Sequence, residues 1–153
     1  MSRGCLLLEM ELRSDPEILC VVRNAVGELA KCMGFREAEC RAAVLAVDEA
    51  LTNIIRHAYR GQKGRPIKVS FRRIRARQGG APREALEIEL ADRGVNVKRA
   101  KLSGRPLEEV RPGGLGLHFI RESMDAVEFR RKNGGNRLRM VKFFQEAEPQ
   151  KSS

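Results

Sequence analysis

Tryptophan is absent, tyrosine occurs once and phenylalanine six times among 153 residues. A chain so poor in aromatics has no row of flat side chains on which unpaired bases could stack, which counts against a nucleic-acid ligand. The four cysteines, Cys5, Cys20, Cys32 and Cys40, form no C-x-x-C pair and lack His neighbours at metal spacing. They read as small core residues in a reducing compartment. Long apolar runs are missing too. Cys5-Leu-Leu-Leu8 is broken at once by Glu9, too short for a signal-peptide core, and no stretch approaches the ~20 residues of a membrane span. A cytoplasmic protein with no membrane partner is expected. Absence of G-x-x-x-x-G-K-[ST] excludes a P-loop, and absence of H-R-D and D-F-G excludes the protein-kinase fold.

What is present suits one soluble domain. A hydrophobic share of 42% beside 33% charged residues describes a globular chain, and the length is enough to bury a real core. The net charge of +10 would attract nucleic acid, an acidic membrane surface or an acidic protein, and charge alone does not choose among them. The basic residues are dispersed, with no zinc-finger spacing, so no specific nucleic-acid partner is expected.

In order along the chain, Gly4 to Arg13 reads as a strand with Leu6, Leu8, Met10 and Leu12 on one face. Ser14-Asp-Pro-Glu17 has the form of a capping box with an early proline, and Ile18, Val22, Ala25, Val26, Leu29 and Met33 give the first helix its apolar stripe. Gly34 stands where a left-handed terminal residue is wanted. A second helix is expected from about Arg36 to Tyr59. Ile67, Val69 and Phe71 alternate with Lys68, Ser70 and Arg72, and Leu86, Ile88 and Leu90 with Glu87 and Glu89, predicting two strands that pair opposite charges. Arg93 to Pro112 has no clear period, as befits a lid or binding loop. Gly113-Gly-Leu-Gly116 opens a third helix. Ala126 to Arg131 and Arg137 to Phe144 form a hairpin through Asn133-Gly-Gly-Asn136. Residues 1–145 make the domain, and 146–153 a polar, disordered tail.

Three sites carry chemistry. On the second helix Val44, Val47, Leu51, Ile54, Ile55 and Ala58 form the apolar stripe, while Glu49, Asn53 and His57 follow at i, i+4 and i+8 in one row that can address one object. Ala46 and Ala50 beside that row leave room for a ligand. Taken alone, the row is also what a solvated helix face looks like. Asp92-Arg-Gly94 puts a carboxylate at a strand end beside a residue that permits close backbone approach, and it reads equally as a turn. Gly113, Gly114 and Gly116 before a helix expose N–H groups and the positive end of the dipole, which suits phosphate, or else serve packing.

The order of these sites resembles the GHKL ATPase superfamily. Asp48-Glu-Ala-Leu-Thr-Asn53, His57-Ala-Tyr59 and Gly113-Gly-Leu-Gly-Leu117 are similar in particular to the stand-alone anti-sigma-factor serine/threonine kinases, and the likeness covers nearly the whole chain. It implies a two-layer α/β sandwich of the Bergerat type, a mixed, mostly antiparallel sheet with helices on one face, and ATP held between helices and a lid from Val95 to Gly113. It makes Asn53 the Mg²⁺ ligand and Glu49 the catalytic group that polarises a substrate hydroxyl. Asp92, with Gly94 clearing room, takes the adenine amino group, and Gly113, Gly114, Leu115 and Gly116 form the phosphate-binding turn. The implied partners are an anti-sigma-factor antagonist protein that is phosphorylated, a sigma factor that is sequestered, or both, and a homodimer is compatible with it. Asn96 and Pro112 depart from the family pattern, each standing where a glycine is common, and bear on lid geometry and turnover. A histidine kinase would need a dimerisation helix with a phosphoacceptor His, for which His57 and His118 in one domain leave no place. Two other readings stand beside the kinase: an ATP-binding regulatory module with little phosphotransfer, and a basic nucleic-acid-binding protein.

Overall fold

In the computed structural model, residues 4–96 and 116–144 are described. Five strands, β1 (Cys5–Arg13), β2 (Pro66–Ala76), β3 (Arg83–Asp92), β4 (Ala126–Lys132) and β5 (Gly135–Phe143), form one sheet in the order β1-β2-β3-β5-β4. The expected mixed, mostly antiparallel sheet is antiparallel at all four pairings among the described residues. Three helices, α1 (Leu19–Cys32), α2 (Glu37–Asn53) and α3 (Gly116–Ser123), complete the second layer, with α2 packed between the other two.

Alternation places the core. Ile67, Val69 and Phe71 of β2 pair with Asp92, Leu90 and Ile88 of β3, and Leu90 and Ile88 pair in turn with Leu138 and Met140 of β5. These residues meet Val22 and Val26 of α1, Val47 and Leu51 of α2 and Ile120 of α3 in one cluster. Each such side chain taken from water contributes about 1.5–3 kcal/mol. The opposite face of the sheet is charged, but among the described residues the expected ion pairs between β2 and β3 are not formed. Glu87 and Glu89 instead bond Arg139 and Arg137 of β5 at 2.6 and 2.8 Å. β1 contains a bulge between Leu6 and Leu8, which explains why Leu7 disturbs its alternation. The final hairpin is tighter than expected: Lys132 pairs with Gly135, and Asn133 and Gly134 both have positive φ (52° and 72°), the two-residue turn whose twist suits a hairpin.

Two expectations are corrected. The cysteines are not core residues, for Cys5, Cys20 and Cys32 are exposed and Cys40 is half-buried. Ser14 does not cap α1. A short 3₁₀ turn, Pro16–Ile18, precedes that helix with no side-chain cap. Ser14 is instead wholly buried, its hydroxyl donating to the Gln62 carbonyl at 2.7 Å and accepting from the Arg65 N–H at 2.9 Å. It therefore pins the end of β1 to the loop after the second helix. The helix-start carboxylate lies at Glu39, which accepts from the Arg36 N–H at 2.9 Å.

Candidate functional site

The helix that carries Glu49 and Asn53 ends unusually. α2 stops at Asn53 and continues into a π-helical turn, Ile54–Ala58. The wider turn accommodates one extra residue between hydrogen-bonded groups, a device found often at functional sites. Arg60 at φ 52° and Gly61 at φ 78° then reverse the chain, and the Gly61 N–H bonds the Ile55 carbonyl at 2.8 Å. One consequence corrects the expected row. Glu49 and Asn53 remain one α-turn apart, but His57 lies inside the π turn, so helical phase no longer carries the line from Asn53 to it. Asn53 is buried and Glu49 half-buried. Ala46 and Ala50 do not open a space beside them: both are almost fully covered within the core.

Asp92, the last residue of β3, sits close to this helix end because Gly94 is seated on it. An ideal Cβ at Gly94 would lie 2.4 Å from the Ala58 carbonyl oxygen, so only glycine lets the two backbones meet. Val95 N–H bonds that same carbonyl at 2.9 Å. Tyr59 ties the junction from below, accepting from the Arg93 N–H at 2.8 Å while donating to the Pro66 carbonyl. The first turn beyond Asn53 thus carries both anchors of the Asp92 loop.

The carboxylate of Asp92 is buried and one-sided. Its Oδ1 accepts from the Gly94 N–H at 2.8 Å and from the Asn136 amide at 2.9 Å, whereas Oδ2 makes no hydrogen bond among the described residues. Asn136 is itself buried, donates to the Val95 carbonyl at 2.8 Å and accepts from Arg131 at 2.9 Å. Burial pushes the Asp92 carboxyl above its ordinary value, and Asn136, Gly94 and the nearby Arg131 charge offset only part of this. Such a group is an oriented acceptor with one lone-pair edge left for a ligand. Asn136, Tyr59 and Arg131 had no distinct role in the sequence. Asn136 read as one more hairpin residue, and only the β3–β5 register, which sets it opposite Asp92, reveals what it does.

Gly116 begins α3, which packs on α2, while Gly113, Gly114, Leu115 and the expected lid beyond Asn96 lie outside the described residues. A cleft of about 370 Å³ opens beside Gly94, lined also by Tyr59, Arg60, Arg65, Arg93 and Arg131. None of Glu49, Asn53 or Asp92 lines it, although Arg93, Gly94 and Val95 of the Asp92 loop do.

The chain matches the family of histidine kinase-like ATPase domains over residues 12–142. It is 31% identical over 145 residues to the serine-protein kinase RsbW of Bacillus pumilus (strain SAFR-032), covering 90% of this chain and 85% of that protein. It is 30% identical over 135 residues to the serine-protein kinase RsbW of Oceanobacillus iheyensis, covering 83% and 80%. Among solved structures, that of the RsbU and RsbW domains of Rv1364c from Mycobacterium tuberculosis superposes with a TM-score of 0.59 at 15% identity over 92% of this chain. The present chain spans about a third of that longer protein (34%), and the likeness bears on fold alone.

Proposed function

Because this chain belongs to the histidine kinase-like ATPase family and, within it, resembles the RsbW serine-protein kinases over most of its length, we propose that it is an anti-sigma factor that transfers phosphate from ATP to a serine or threonine of an anti-sigma-factor antagonist. The observation that carries the reading is the junction of two elements. A buried carboxylate, Asp92, one of whose oxygens makes no hydrogen bond among the described residues, is held by Gly94 against the end of the helix that bears Glu49 and Asn53.

Each residue has a distinct duty. Asp92 Oδ2 accepts from the exocyclic amino group of adenine, while Oδ1 is already satisfied and fixes the carboxylate plane. The Asn53 amide oxygen would hold Mg²⁺. A donor set of one amide fits a hard cation that keeps most of its shell from waters and phosphate oxygens, and that ion when bound would neutralise the phosphate charge. Glu49, one turn away and half-buried, accepts the proton of the incoming hydroxyl. Gly113, Gly114, Leu115 and Gly116 would present backbone N–H groups to the phosphates. The net charge of +10 suits an acidic protein partner.

The experiment separates binding from chemistry. Glu49→Gln is expected to keep near-normal Mg-ATP affinity by calorimetry while transfer of labelled phosphate to the antagonist falls about 10²-fold or more, the scale of a lost general base. Asn53→Ala is expected to weaken both. Undiminished transfer in Glu49→Gln removes that residue from the chemistry, and absence of transfer by the wild type with its true partner leaves an ATP-binding regulatory module.

A further inference from the structure

The cleft behind the Asp92 loop brings together four guanidinium-bearing residues from three parts of the chain. Arg60 and Arg65 flank the turn after the π-helical segment, Arg93 follows Asp92, and Arg131 comes from β4. No Asp or Glu lines the space, and none of the four makes an ion pair among the described residues. Arg137, Arg139, Arg130, Arg41 and Lys68, by contrast, each lie within 4 Å of a carboxylate. Among the described residues Arg60, Arg65 and Arg93 have no carboxylate partner and Arg131 has only the nearby Asp92, so positive charge gathers around one concavity, and a bound anion relieves its repulsion.

Three of the guanidinium groups are held in place. Arg131 donates to the Gly94 carbonyl at 3.0 Å and to Asn136, Arg93 donates to the Asn133 carbonyl at 3.2 Å, and Arg65 lies 5.3 Å above the Tyr59 ring. These bonds leave most of their N–H donors unused, since each guanidinium has five. The side chains are thus oriented without being satisfied.

We propose that this cleft binds a compact polyanion carrying two or three phosphate groups. Size and charge select that class. A volume of about 370 Å³ is enough for a short phosphate chain. An acidic helix, about 10–12 Å across with its side chains, does not enter. Two phosphate groups at about −1.5 to −2 each balance four arginines, and planar forks bind phosphate oxygens in pairs. The cleft borders the proposed ATP site at Gly94 but shares none of Glu49, Asn53 or Asp92 with it.

The probe is sodium tripolyphosphate, titrated calorimetrically into the whole chain at fixed physiological ionic strength. The wild type is expected to bind it, and Arg60→Gln with Arg65→Gln to weaken that binding at least tenfold. Arg75→Gln with Arg77→Gln, which removes the same charge from exposed positions away from the cleft, is expected to change it less than twofold. Thermal melts accompany each variant, and single Arg60→Gln replaces the pair if the pair does not fold. The proposal is overturned by absence of wild-type binding, by an isotherm unchanged in the cleft variant, by equal losses in both pairs, or by a pentaglutamate peptide that binds the cleft more tightly than tripolyphosphate.

Discussion

Asp92 shows how one residue can trade stability for recognition. Its carboxylate is buried, and the net effect of its surroundings raises its pKa above the ordinary 3.8. A native acid with a raised pKa binds its proton more readily than the unfolded chain does. Its contribution to stability is therefore complete below the ordinary value and is lost as pH rises through the native one. Asn in this place needs no ionisation, and its Oδ1 can still accept from Gly94 and Asn136. Asp92→Asn is accordingly expected to melt at or above the wild type at pH 7, with the difference closing near pH 4. The same change puts an NH₂ group where adenine presents its own, so ATP affinity is expected to drop by roughly 1.5–3 kcal/mol, as for a lost hydrogen bond to a charged group. Melting curves at the two pH values, with calorimetry at pH 7, check both halves. A variant that loses stability at neutral pH would mean that the carboxylate is structural.

Among the elements, the turn after α2 decides the site's geometry. The π-helical segment brings the Ala58 carbonyl to Val95 and aims the Tyr59 hydroxyl at Arg93, so the helix end and the Asp92 loop are fastened to each other. The other side of that turn is fastened by Ser14, whose hydroxyl joins β1 to Gln62 and Arg65. Ser14→Ala removes both part-buried hydrogen bonds of a wholly buried hydroxyl, and urea unfolding is expected to show a loss of about 1–3 kcal/mol. Because the fastening lies beyond Tyr59, ATP affinity is expected to change less than stability does. A variant as stable as the wild type would show that water replaces the hydroxyl.

For the whole molecule the excess of positive charge predicts weak association with any polyanion. Duplex DNA is expected to bind without sequence preference at low salt and to dissociate at physiological salt, since such binding is mostly counterion release. A shift assay over a salt series tests this. Tight, sequence-selective binding at physiological salt would favour the nucleic-acid reading instead. Among the described residues no helix is long and apolar enough to cross a membrane.

Periodicity alone determined much of this protein. The alternation of Ile67, Val69 and Phe71 and the stripe Val44, Val47 and Leu51 are local patterns, and each becomes the element it predicts because hydrophobic burial follows the same period as the backbone. Gly94 was legible for a similar reason: a glycine beside a carboxylate at a strand end announces a close approach, here to Ala58. Other features depend on partners distant in the chain. Asn136 acts on Asp92 through a register set by two hairpins, and Ser14 serves a loop some fifty residues away instead of its own helix. The exposure of Cys5, Cys20 and Cys32 follows from which faces the layers cover, and the cleft of arginines exists only because β4 returns beside the helix end. Hydrogen-bond partners and charge neighbours across the chain are tertiary quantities, and no local pattern encodes them.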